Sequence, residues 1–166
     1  MTADKPVKIL MVEDDMIIAA DISMQLTKLG YEVIGINTRG EDALNTIEHN
    51  RPDLILMDIV LSGKVNGIEA ARIILEKFQV PVIFLTSNSD DATFQRAITA
   101  RPYAFISKPF QKSDLERTIK LALQRIGEIE KKMKELQLLH HELSHLAEAC
   151  HGDDRPDCPI LDDLAR

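Results

Sequence analysis

Four kinds of side chain that can do chemistry stand immediately after apolar, β-branched runs in this sequence. Glu13, Asp14 and Asp15 follow KILMV, Asp58 ends LILMD, Thr86 ends VIFLT, and Lys108 follows FIS. If those runs are neighbouring parallel strands, all of these groups meet at the carboxyl edge of one sheet, where open α/β folds hold their ligands. Clustered carboxylates repel one another. They coexist only if some are protonated or a hard divalent cation sits among them, and an all-oxygen donor set beside a phosphoryl site favours Mg²⁺. Taken singly, each residue has a plainer role: Asp14 or Asp15 as a helix N-cap, Lys108 as a solvated charge, Thr86 as a strand residue. Their joint placement at four strand ends is what points to a site.

The elements that must position these groups alternate. Strand-like runs at residues 8–13, 32–36, 54–58, 80–86 and 103–107 are separated by helix-period stretches, the βα repeat of a parallel sheet covered by helices on both faces. Pro52, Pro81 and Pro102 stand at or just before strands, where a missing N–H does least harm. Gly30 and Asn50 are expected to close helices in left-handed geometry.

From Leu115 the pattern changes to a heptad: Leu115, Ile119, Ala122, Ile126, Ile129, Met133, Leu136, His140, Leu143 and Ala147 recur at alternating spacings of four and three. The fifth helix is therefore expected to continue as a rod of about 35 residues, about 50 Å at about 1.5 Å per residue. Its exposed seam calls for a partner, most simply a second copy of the chain in a homodimer, with folding back onto its own domain as the alternative. The domain expectation is 1–123 globular, 124–149 coiled coil and 150–166 tail. His140 in the seam can set register, while Leu139 and Leu146 widen the stripe.

Both cysteines, Cys150 and Cys158, lie in the tail, and four of the five histidines fall between His140 and His151. Two thiols separated by seven residues, with Gly152 and Pro156 between them, can form a disulfide or hold one soft metal ion. Two thiolates suit linear Cu(I), whereas Zn²⁺ would have to recruit His151 or groups from a partner chain.

Composition excludes other classes. Twenty Lys and Arg against 27 Asp and Glu give a formal charge of −7 over 166 residues, and no basic cluster exceeds Lys131-Lys132, so nucleic acid is not an expected direct ligand. No run of about 18 uncharged apolar residues offers a membrane span, and MTADKPVKIL lacks the apolar core of a signal peptide, so the expected compartment is the cytoplasm.

KILMVEDD, LILMDI, VIFLTS and ISKPF, in this order and spacing, resemble the receiver domains of two-component response regulators over residues 5–123. The resemblance implies a flavodoxin-like, doubly wound α/β sheet of five parallel strands in the order 2-1-3-4-5. It implies Asp58 as phosphoacceptor, taking a phosphoryl group from a sensor histidine kinase or phosphotransfer protein. Asp14, Asp58 and the Val60 carbonyl would hold Mg²⁺, with Glu13 acting through water. Lys108 would pair with a phosphoryl oxygen, and Thr86 and Phe105 would form the switch. Such a protein is expected to turn over only its own acyl phosphate and not to be an enzyme toward other substrates. Two departures stand out. Phe105 replaces the tyrosine frequent at that position, and VLSGKVNG after Asp58 has Ser62 where proline is common and is one residue longer before Gly67.

Residues 128–165 look like the dimerisation helix and metal loop of MerR-family regulators, closest to the copper-responsive branch. That resemblance implies Cys150 and Cys158 as soft-metal ligands, and the family's DNA-binding portion has no counterpart in this sequence. The alternative reading is thus a Cu(I)-binding or metal-sensing protein in which the receiver-like part is a scaffold. Mg²⁺ at the acidic pocket, and Cu(I) or another soft metal at the tail, are the expected cofactors.

Overall fold

The computed structural model describes residues 5–87 and 91–149. Five strands and five helices alternate along it: β1 (Lys8–Val12), α1 (Met16–Lys28), β2 (Glu32–Asn37), α2 (Gly40–His49), β3 (Leu54–Asp58), α3 (Gly67–Phe78), β4 (Val82–Ser87), α4 (Asp91–Thr99), β5 (Ala104–Lys108) and α5 (Lys112–Ala149). All strand pairs are parallel, in the order β2-β1-β3-β4-β5, as the flavodoxin-like expectation requires. Strand ends differ from the sequence expectation by one or two residues. β4 starts after Pro81 and not at Val80, for example, because Pro81 has no N–H to give the ladder.

The strands alternate between two buried faces. Leu10, Val12, Ile55, Met57, Val82 and Phe84 pack with Ala43 and Ile47 of α2, Ala70, Ala71 and Ile74 of α3, and Ala97 of α4. Their neighbours Ile9, Met11, Leu54, Leu56, Ile83 and Leu85 are equally buried and point to the other face, left for α1 and the start of α5. Central strands covered twice must be apolar at every position, and β3 is buried from end to end.

Helix ends follow local chemistry, with one correction. Asp15 caps α1, its Oδ1 accepting from the amides of Ile17 and Ile18 at 2.9 and 3.2 Å. Gly30 has φ +90 just past the end of α1, as expected. Asn50 does end α2 but with extended backbone (φ −144, ψ 94), because the chain must straighten at once to enter β3. The left-handed helix end belongs instead to Gln79 after α3, at φ 53.

The chain divides between Ala122 and Leu123 into two units. α5 contributes to both. In the first unit Leu115, Ile119 and Ala122 are buried; in the second Ile129, Met133, Leu136 and Leu143 are 41–65% exposed. No helix among the described residues is long and apolar enough to cross a membrane. The buried stripe gives a direct check. Ile119→Ala should cost about 2–5 kcal/mol of stability in urea unfolding, whereas Leu121→Ala, at a site 67% exposed, should change it by under about 0.5 kcal/mol.

Candidate functional site: an acidic pocket at the carboxyl edge of the sheet

Because β1, β3, β4 and β5 are adjacent and parallel, the residues that end them converge. Glu13 follows β1 and is 1% exposed, Asp58 ends β3 at 7%, and Thr86 lies near the end of β4 at 8%. Among the described residues these are the buried polar or charged side chains of an otherwise apolar core. One oxygen from each of Glu13, Asp14 and Asp58 falls within 4.8 Å of the others, with Asp14 at the exposed rim. Lys108 closes the pocket from β5, its Nζ donating to Glu13 Oε2 at 2.5 Å and to Asp58 Oδ2 at 2.6 Å. The Lys108–Pro109 peptide is cis.

Each carboxylate is held differently. Asp58 is clamped at both oxygens, since its Oδ1 accepts from the Val60 amide at 2.9 Å while its Oδ2 faces Lys108. Val60 is thereby drawn to the pocket rim. Asp14 Oδ2 accepts from the Ser62 hydroxyl at 2.6 Å, and that bond is the main reason its carboxyl lies below the ordinary aspartate value. Burial pushes Glu13 up, and the nearby Asp58 charge adds to the effect, although the Lys108 hydrogen bond opposes both. Burial likewise works against the Lys108 ammonium, but the hydrogen bonds and charges of Asp58 and Glu13 outweigh it and raise its pKa. One ammonium cannot neutralise three carboxylates. The pocket keeps a negative excess, and its donors are all hard oxygens, so the residues present fit a divalent cation such as Mg²⁺.

The segment between β3 and α3 approaches so closely that a Cβ on Gly67 would stand 2.0 Å from the Asp58 carbonyl oxygen. Only glycine lets α3 begin against the backbone of Asp58, with Asn66 as its N-cap. On β5, Phe105 sits between Phe94 and Phe84, with ring centroids at 4.8 and 5.8 Å. The Thr86 hydroxyl donates to the Ser87 carbonyl at 3.2 Å.

The sequence profile of the Response regulator receiver domain matches residues 9–120. The chain belongs to the response regulator receiver family. This receiver is 36% identical over 124 residues to the transcriptional regulatory protein PdtaR of Mycobacterium tuberculosis, covering 75% of this chain and 60% of that protein. It is 37% identical over 124 residues to the phyllosphere-induced regulator PhyR of Methylorubrum extorquens, covering 74% of this chain and 46% of the other. The chain thus spans three-fifths or less of these curated relatives. Among solved structures, the signal receiver domain of a modulated diguanylate cyclase from Desulfovibrio desulfuricans matches with TM-score 0.70 and 37% identity, over 73% of this chain and 96% of that one. A chain carrying residues 181–211 of the yeast Spc42 trimeric coiled coil as a fusion matches with TM-score 0.70 and 32% identity, over 87% of this chain and 96% of that one.

The structure brings Glu13, Asp14, Asp58 and Lys108 of the receiver into one pocket, with the Val60 amide on Asp58, and sets Thr86 on the adjacent strand end, with Phe105 in the aromatic stack. Cys150 and Cys158 lie outside the described residues. Three contributors escaped the sequence reading. Ser62 was visible only as a departure in the loop, Glu41, whose carboxylate lies against Gly63, not at all, and Gly67 only as a loop boundary, though a glycine opening a helix after an asparagine cap signals close backbone approach.

Glu13 supplies a test of the electrostatics. With its folded pKa above the ordinary 4.5, its stabilising contribution is complete below that value and is lost as pH rises through the raised one. Without divalent cations, Glu13→Gln should therefore melt above the parent at pH 7.5, and the gap should shrink toward pH 4. A variant melting below the parent at pH 7.5 would mean that pairing with Lys108 outweighs burial.

Proposed function

We propose that this receiver is phosphorylated on Asp58 in the presence of Mg²⁺, taking the phosphoryl group from a phosphohistidine of a sensor histidine kinase or phosphotransfer protein. The observation that carries the reading is the buried Asp58 carboxylate, oriented by the Val60 amide and Lys108 and flanked by Glu13 and Asp14. An Asp58 oxygen attacks phosphorus, the P–N bond breaks, and the imidazole leaves with the electron pair and takes a proton. Glu13, Asp14, Asp58 and the Val60 carbonyl would hold the cation, which when bound supplies charge neutralisation for the transferring phosphoryl group.

Lys108 has a second task. It already bridges Glu13 and Asp58, so its ammonium moves to a phosphoryl oxygen with little displacement once the carboxylate is esterified. Thr86 and Phe105 then carry the change outward, the hydroxyl by turning to the phosphate and the ring by repacking against Phe84 and Phe94. With no separate base invoked, the protein acts on its own acyl phosphate and is not an enzyme toward other substrates. Asp58→Asn should abolish labelling by acetyl phosphate in Mg²⁺, read by intact-protein mass spectrometry. Undiminished labelling would move the nucleophile elsewhere.

Homodimerisation through α5 belongs to the same proposal. The heptad positions Ile129, Met133, Leu136 and Leu143 expose an apolar seam, interrupted by His140, which a second copy would cover. Sedimentation of the full chain should give a species larger than a monomer, and Leu136→Glu should return it to monomer. A monomeric parent would remove dimerisation from the reading.

A further inference from the structure

We propose that Ser62 is a positioning residue for the bound cation, holding the Asp14 carboxylate turned into the acidic pocket, and that Glu41 braces the loop from which it does so. This deepens the Mg²⁺ reading and rests on it.

Asp14 is the exposed member of the carboxylate cluster. Lys108 is engaged with Glu13 and Asp58, and among the described residues no ammonium pairs with Asp14. Ser62 reaches it across 48 residues of chain, with a hydroxyl hydrogen bond of 2.6 Å to Oδ2 and a backbone amide that also faces the carboxylate. A neutral donor suits the task better than a cation. It orients the carboxylate without cancelling its charge, and an ionised carboxylate has about four lone-pair sites, so capacity for a metal remains.

The loop needs its own support, because Ser62 lies in an exposed segment next to Gly63, whose φ is +126. Glu41, in the first turn of α2, supplies it. A Cβ on Gly63 would stand 3.1 and 3.2 Å from its two oxygens, its Oε2 is buried without a hydrogen-bond partner among the described residues, and its own amide with those of Lys64 and Val65 holds the carboxyl below the ordinary glutamate value. Gly63 therefore lies against the Glu41 carboxylate, one residue from Ser62.

The test is Mg²⁺ titration of the full chain by isothermal calorimetry. Ser62→Ala should weaken binding about tenfold, the scale typical of groups that orient a metal ligand. Ser62→Thr should restore it, and the metal-free melting temperature of Ser62→Ala should match the parent. Glu41→Ala should also weaken binding, with little further loss in the double variant, because both changes release the same carboxylate. Ser62→Ala binding Mg²⁺ as tightly as the parent overturns the proposal, as does equal weakening by alanine and threonine. A parent that binds no Mg²⁺ removes the acidic-pocket reading and this inference with it.

Discussion

The rest of the structure depends on like charge held at close quarters. Three carboxylates at the mouth of an apolar sheet are an unstable arrangement, and a lone ammonium from β5 compensates only part of it. The cost of that arrangement is what makes the pocket suited to a divalent cation, which would supply the positive charge that the protein withholds and so let an anionic phosphoryl group approach. A site fully satisfied by its own residues would have no reason to bind anything.

Rigidity comes from the layers behind the pocket. β3 is buried along its whole length, so the Cα of Asp58 is held by ladders to β1 and β4 and by packing on both faces. Gly67 then lets α3 start directly on the Asp58 carbonyl. Against this fixed centre, the rim is built from polar contacts: the Ser62 hydroxyl on Asp14, the Glu41 carboxylate against Gly63, and Asp15 on the first turn of α1. A fixed centre with a rim of polar contacts is the arrangement the proposed phosphoryl transfer to Asp58 would call for.

α5 serves two purposes with one sequence pattern. Its heptad buries Leu115, Ile119 and Ala122 in the first unit and leaves Ile129, Met133 and Leu136 exposed in the second. The same spacing can satisfy a domain core or a neighbouring helix because both require an apolar stripe along one face. Where the stripe stops being covered is a tertiary fact, invisible in the repeat itself.

The alternation of strands and helices was legible in the sequence because continuous apolar runs and helix-period stretches report burial, the sheet order followed from the receiver resemblance, and the convergence of Glu13, Asp14, Asp58 and Lys108 followed from their places at the strand ends once that order was given. Asp15 as an N-cap was legible for the same local reason. What the linear chain could not show were contacts between residues far apart and chemically ordinary: the hydroxyl of Ser62 on Asp14, Glu41 around residues 63–65, and the left-handed turn at Gln79 where Asn50 was the expected site. Local propensity determined which elements form and which residues end them. Only the packed structure decided which of those ends lie within hydrogen-bonding distance, since that depends on loop paths fixed by backbone amides and not by residue type.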